Sequence, residues 1–215
     1  MAIIVGDIHG NHEKARAFLN YRSEQEHIAL GDYLDSFLEP AERQLETLEL
    51  LMSSKAVLLW GNHDLHYLDY PQFQFAGYNL AWAGDFGQVL EKNIDRFVPS
   101  YLADGWLCTH AGVNSALVHG RSAQELDRLF CESWEEYLMD RAAGGKYRFK
   151  SIFTFDFLSV AMLVSDSIRQ VHGHDEHSVP EFIKPNCVSI GCNDNGSAWI
   201  FDTETSEIKN LGEVT

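Results

Sequence analysis

Positive charge is scarce in this sequence. There are 16 lysines and arginines against 32 aspartates and glutamates, for a formal net charge of -16. Nonspecific binding to long nucleic acids or to anionic membrane needs clustered Lys and Arg, so both are disfavoured. An anionic substrate is still allowed, because bound divalent cations can reverse the local sign inside an acidic protein. Long apolar runs are also missing, and none approaches the roughly 20 residues that span a bilayer. Met1-Ala2 leads directly into Ile3-Ile4-Val5 with no basic segment before it, so no signal peptide is expected. Cys108, Cys131, Cys187 and Cys192 lack CxxC spacing. That argues against a structural zinc knuckle and for a reduced, cytoplasmic protein. Repeats, low-complexity tracts and Gly/Ser/Pro-rich linkers are absent too. The 215 residues are therefore read as one domain, 1–215, large enough for a sizeable core.

What is present is a series of short polar motifs beside glycines: Gly6-Asp7-Ile8-His9-Gly10, Gly31-Asp32-Tyr33-Leu34-Asp35, Gly61-Asn62-His63-Asp64, Thr109-His110-Ala111-Gly112 and His172-Gly173-His174-Asp175. Four directly follow a short apolar run, and the fifth follows Ile168-Arg169-Gln170-Val171. Strands are expected at Ile3–Val5, His27–Leu30 and Ala56–Trp60, with helices over His12–Glu24 and Pro40–Ser53. Alternation of strand and helix implies a parallel sheet covered on both faces. Ligands bind such sheets beyond the C-terminal ends of the strands, where the first three motifs fall. From Leu65 to Ser100 the regular pattern is lost in an aromatic stretch, read as an insertion near the site entrance or a local satellite core. Another strand is expected at Gly105–Cys108, and helices over Ala123–Asp140 and Phe153–Ser167. Strands follow at Arg169–Val171, Cys187–Ile190 and Ala198–Phe201, the closing run forming a meander in a second sheet.

The motif residues are metal ligands by type. Asp7 and His9 stand two apart, and on an extended turn both face one ion. Asp32 can bridge two ions through its two carboxylate oxygens. Asn62 offers a neutral carbonyl oxygen, and His110 and His174 offer imidazoles. Either or both of His172 and His174 could face the site, with His174 favoured because it follows the glycine. His12, His27, His66, His119 and His177 are read as surface or outer residues. Mixed carboxylate and imidazole donors suit Mn, Fe or Zn better than Mg or Ca. Two divalent ions are expected, manganese first, with iron, zinc, nickel or cobalt able to use the same donors.

The order GD-x-H-G, GD-x-x-D, GN-H-D, H-A-G and G-H resembles the calcineurin-like metallophosphoesterase superfamily. It is most similar to the branch holding the protein Ser/Thr phosphatases and the diadenosine tetraphosphate hydrolases. The resemblance spans Gly6 to His174. It implies an α/β fold, a four-layer α-β-β-α sandwich with mixed sheets and a dinuclear metal centre at its edge. By motif, one metal is held by Asp7, His9 and Asp32, and the other by Asp32, Asn62, His110 and His174. His63 would be the catalytic histidine and Asp35 its orienting partner, with a hydroxide shared by the two ions attacking phosphorus. The implied activity is hydrolysis of a small phosphorylated or nucleotide-type substrate. A protein Ser/Thr phosphatase, a phosphodiesterase and a non-enzymatic scaffold are the alternatives. Two positions depart from the family pattern. Ser36-Phe37 follows Asp35, where the phosphatase branch has Arg-Gly and uses the arginine to grip phosphate. Glu176 stands where many members carry a second histidine after G-H, so water would complete the first metal.

Overall fold

A computed structural model describes residues 1–68, 75–144, 164–175, 178–191 and 197–213. Strand β1 (Ala2–Val5), helix α1 (His12–Asn20), strand β2 (Glu26–Ala29), helix α2 (Ala41–Ser53) and strand β3 (Val57–Leu59) follow the expected alternation. A short helix α3 (Asn62–Leu65) leaves β3, followed by α4 (Ala83–Lys92) and strand β4 (Phe97–Val98). Next come β5 (Tyr101–Ala103), β6 (Trp106–Thr109), α5 (Ser115–Val118) and α6 (Ala123–Ala142). The chain continues through β7 (Gln170–His172), β8 (Glu181–Lys184), β9 (Cys187–Ser189), β10 (Ser197–Asp202) and β11 (Glu207–Glu213). No helix among the described residues is long and apolar enough to cross a membrane.

Two sheets result. The first has the order β11-β10-β1-β2-β3-β4, and the second β5-β6-β7-β9-β8. Strands β1 to β4 run parallel, as do β6, β7 and β9, while β10, β11, β5 and β8 pair antiparallel. Alternation along each strand explains the layering. Ile3 and Val5 of β1 face one core with Phe18, Leu48, Leu51 and Phe86 from the helices. Ala2 and Ile4 face the other way, into a core shared with Trp106, Cys108, Val171 and Val188 of the second sheet. Leu107 looks out from the second sheet onto Leu126 and Phe130 of α6. Helices, sheet, sheet and helices therefore stack as a four-layer sandwich. Each fully buried Ile, Leu or Phe in these cores contributes roughly 1.5–3 kcal/mol.

Local chemistry sets the helix ends. The Asn11 side chain caps α1 by accepting the Lys14 N–H at 2.8 Å. Ser122 and Glu125 form a reciprocal capping box at the start of α6.

Several expectations need correction. Helix α1 ends at Asn20, not Glu24, because the chain turns through left-handed Arg22 (φ 45°), whose guanidinium reaches Asp202 and Glu204. The first sheet is mixed, as the resemblance implied, and the second sheet covers its other face. The closing strands do not join the second sheet: β10 pairs antiparallel with β1, and β11 with β10. Ile200 enters the helix-side core and Phe201 the inter-sheet core, so β10 is buried on both faces, which local pattern does not assign to either sheet. The stretch from Leu65 to Ser100 is not without regular pattern, since it holds α4 and β4. Its Tyr67, Leu68, Phe86 and Leu90 belong to the main helix-side core. Most of the helix expected over Phe153–Ser167 lies outside the described residues. Val164 forms an isolated bridge to Asn114 instead.

Asp202 pins the C-terminal hairpin. Its buried carboxylate accepts from Lys209 Nζ at 2.7 Å, Arg22 Nη1 at 3.1 Å and the Glu204 N–H at 3.0 Å. Burial pushes its pKa up, but Lys209, the Glu204 N–H and Arg22 together hold it below the usual carboxylate range. A carboxylate with a lowered folded-state pKa stabilises above its unfolded value and loses that contribution as pH falls through the folded one. Asp202→Asn is expected to cost about 1–3 kcal/mol near neutral pH. Urea unfolding of variant and wild type should converge at about pH 3 or below. A difference independent of pH would rule out the ionic contribution.

Candidate metal centre

The five motifs leave the C-terminal ends of β1, β2 and β3 in one sheet and of β6 and β7 in the other. Because the sheets lie face to face, their loops meet at one edge. Glycine makes the approach possible. A Cβ on Gly61 would lie 2.1 Å from Asp32 Oδ1, and one on Gly173 would lie 2.3 Å from Asp7 Oδ1.

Among the described residues three groups of donors assemble; one is Asp35, His63 and His66, and the other two share a residue. Asp7, His9 and Asp32 bring ligand atoms within 4.8 Å of one another, and so do Asp32, His110 and His174. Asp32 is common to both. Asn62 joins the second group, with Oδ1 2.8 Å from both His110 Nε2 and His174 Nδ1. His110 Nε2 stands 3.3 Å from Asp32 Oδ2 and 3.2 Å from His174 Nδ1. Donors around one small divalent ion are spaced on the order of 3 Å, given bonds of about 2.1 Å.

The surroundings fix which nitrogens can serve. His9 Nδ1 donates to the Leu34 carbonyl at 2.7 Å, and His110 Nδ1 to the Leu30 carbonyl at 2.8 Å. Each leaves Nε2 for a ligand, as main-chain acceptors behind metal-bound histidines generally do. The Asp7 carboxylate receives the His174 N–H at 3.0 Å, and Asp32 Oδ1 receives the His63 N–H at 2.9 Å. Asp7, Asp32, Asn62 and His110 are buried.

Electrostatics point the same way. Burial pushes the Asp32 pKa up, yet the charges on His110, His63 and His9 hold it far below the carboxylate range. His110 is pushed up to about 10, its burial overcome by Asp32 and Asp7. Burial and the charge on His110 push His174 down to about 4. Two carboxylates and facing imidazole nitrogens therefore call for positive charge between them. A divalent ion meets that need, and the donor set fits it.

His63 flanks this centre, its Nδ1 bonded to Asp35 Oδ2 at 2.8 Å. Burial lowers the His63 pKa, but Asp32 and Asp35 raise it above the ordinary histidine value. Asp35 does not cap α2, whose N-cap is Pro40.

One feature differs from the sequence reading. Asp7 and His9 do not converge by extended alternation, because His9 is left-handed (φ 43°). Asp32 (52°), Asp35 (62°) and His174 (65°) are left-handed too. Among the described residues, half of the eight non-glycine residues with positive φ are thus candidate site residues. Such strain costs of order 1–3 kcal/mol per residue and gathers where side chains must be aimed. Of the two histidines left open, His174 joins a donor group and His172 does not. His172 is fully buried, with Nδ1 on the Gly173 carbonyl at 3.0 Å. Ser36 faces its own turn, accepting the N–H groups of Leu38 and Glu39. Glu176 and His177 lie outside the described residues.

Sequence reasoning also passed over residues behind the site. His66 is fully buried against Asp35, and its place three residues after His63 on a helical turn was the available signal. Asp64 accepts the Tyr33 N–H at 2.9 Å and the Gly61 N–H at 3.1 Å, fastening the second motif to the third. Buried Lys14 donates to the Asp7 carbonyl oxygen at 2.5 Å.

Gly61→Ala should cost about 1–3 kcal/mol or more, since the new methyl overlaps Asp32. Gly84→Ala in α4, with open space around its Cβ, should gain about 0.5–1 kcal/mol. Chemical denaturation of the two variants checks both, and a neutral Gly61→Ala would contradict the packing of Asp32 against Gly61.

Comparison with known proteins bears on the fold and the family. Among solved structures, a putative diadenosine tetraphosphatase superposes with a TM-score of 0.58 at 18% identity, covering 100% of this chain and 93% of that one. A protein serine/threonine phosphatase from Saccharomyces cerevisiae, with similarity to human phosphatase PP5, superposes with a TM-score of 0.52 at 14% identity, covering 88% of this chain and 66% of that one. These likenesses show the fold. No curated protein sequence matches the chain. The sequence profile of the calcineurin-like phosphoesterases matches residues 2–137, well over half the chain, and the protein belongs to that family of metal-dependent phosphoester hydrolases.

Proposed function

We propose that the protein hydrolyses a small phosphorylated or nucleotide-type substrate at a dinuclear centre bridged by Asp32. The observation that carries this reading is the sharing of Asp32 between two donor groups, with the His63–Asp35 pair beside them. Asp7, His9 and Asp32 would hold one ion; Asp32, Asn62, His110 and His174 would hold the other. Manganese is the first choice for these mixed nitrogen and oxygen donors, with Fe, Zn, Ni and Co able to use them. Divalent ions held there would lower the pKa of water and offset the charge of the phosphoryl oxygens.

The chain's own part is to aim and to move protons. Nδ1 of His63 is committed to Asp35, which leaves Nε2 as the acid. Asp32 and Asp35 raise its pKa, which favours the protonated imidazole. As water oxygen bonds to phosphorus and the leaving P–O bond breaks, the departing oxygen takes the Nε2 proton and the water proton passes to solvent. Asp35, buried and hydrogen-bonded, holds the ring in place and stays ionised.

The loop after Asp35 supports a small substrate over a phosphoprotein. With Ser36 turned into its own loop, no guanidinium clamp stands at this position, and Phe37 is 80% exposed. The free thiols Cys108, Cys131 and Cys187 support a reducing, cytoplasmic setting.

With Mn²⁺ added, p-nitrophenyl phosphate or bis(p-nitrophenyl) phosphate should be turned over, and their ratio separates monoesterase from diesterase. His63→Asn is expected to lose about 10²–10⁴-fold in turnover at unchanged metal content. Wild-type turnover in that variant would remove His63 from the chemistry.

A further inference from the structure

Asp35 is more heavily engaged than an orienting partner for His63 requires. Its carboxylate is buried, its backbone is left-handed, and Oδ1 and Oδ2 both have side-chain neighbours. Tyr67 donates its hydroxyl hydrogen to Oδ1. His66 Nε2 lies 2.7 Å from Oδ2, the oxygen that His63 also uses, though off the line of its N–H. Both supporting groups have their proton direction set from behind. The Phe75 N–H points at His66 Nδ1 at 3.3 Å, so the ring hydrogen sits on Nε2, toward Asp35. The Asn79 N–H donates to Tyr67 Oη at 2.7 Å, leaving the single hydroxyl hydrogen for Asp35.

Those two N–H groups come from one segment, 75–82, which closes over the carboxylate. Tyr78 stacks on Tyr67 with centroids 4.9 Å apart and meets His66 edge-on at 4.9 Å. A Cβ on Gly77 would lie 3.1 Å from Asp35 Cβ. The terminal torsion of an aspartate is broad and two-fold, so a lone contact to His63 would leave the carboxylate free to turn. Donors on both oxygens remove that freedom.

We infer that Tyr67 and His66 are positioning residues that lock the Asp35 carboxylate, and through it the His63 ring, while anchoring segment 75–82 to the site. The inference rests on the reading of His63 as the acid toward the leaving group. It gives the aromatic segment a task that its composition does not reveal: its main chain sets the proton directions of the catalytic support.

The test is a leaving-group series of p-nitrophenyl, p-chlorophenyl and phenyl phosphate with Mn²⁺, run on wild type, Tyr67→Phe, His66→Leu, His66→Gln and His63→Asn. A displaced acid matters more as the leaving oxygen becomes more basic, whereas loss of folded or metal-loaded enzyme lowers every rate equally. Tyr67→Phe and His66→Leu should each lose about 10-fold in kcat on phenyl phosphate and much less on p-nitrophenyl phosphate, at unchanged metal content. His66→Gln, which keeps an N–H donor, should recover most of the loss. An equal loss across the series, or none, in Tyr67→Phe and His66→Leu would overturn the inference while leaving the acid assignment intact, provided His63→Asn is steep. A flat series in His63→Asn would overturn the acid assignment, and the inference with it.

Discussion

The buried negative charge of Asp32 is the constraint from which the rest of the site follows. The residue is 2% exposed, yet the surrounding imidazoles keep its carboxylate ionised. Its backbone carbonyl accepts the N–H groups of Ile8 and His9, which ties the first motif to the second. Its Oδ1 accepts the His63 N–H, which ties the second to the third, and its Oδ2 faces His110 of the fourth. One residue thus sets the mutual positions of four loops. A carboxylate at such a junction is unstable without positive charge beside it. The geometry and the need for cations are two aspects of the same arrangement.

The sandwich provides the stiffness this requires. Three apolar cores hold the strand ends, and the loops beyond them carry left-handed residues at His9, Asp32, Asp35 and His174. That strain is tolerated because the packed strands leave the loops few alternatives. The same loops turn their glycines toward neighbouring backbone and carboxylates, where any side chain would collide.

Much of this was legible in the sequence. The motif residues are ligand types beside glycines at predicted strand ends, and the first three strands with the two helices between them stand where periodicity puts them. What was not legible depends on partners distant in the chain. Strand β10 is apolar on both faces in either sheet, and only pairing with β1 decides. The preference for His174 over His172 was readable from the glycine before it, but the left-handed backbone that aims it was not. His66 was read only as a surface or outer residue and Tyr67 as part of an aromatic stretch, and their tasks emerge when segment 75–82 folds back over Asp35. Spacing did offer a hint at His66, because three residues on a helical turn place it on the same side as His63.

Two ions bridged by Asp32 is the central claim. Crystals of the protein equilibrated with Mn²⁺ and measured for anomalous scattering at the manganese edge test it directly. A centre bridged by Asp32 should give two peaks per chain, one beside Asp7 and His9, the other beside Asn62, His110 and His174, both within bonding distance of the Asp32 carboxylate. A single peak, or two peaks of which only one touches Asp32, would contradict it.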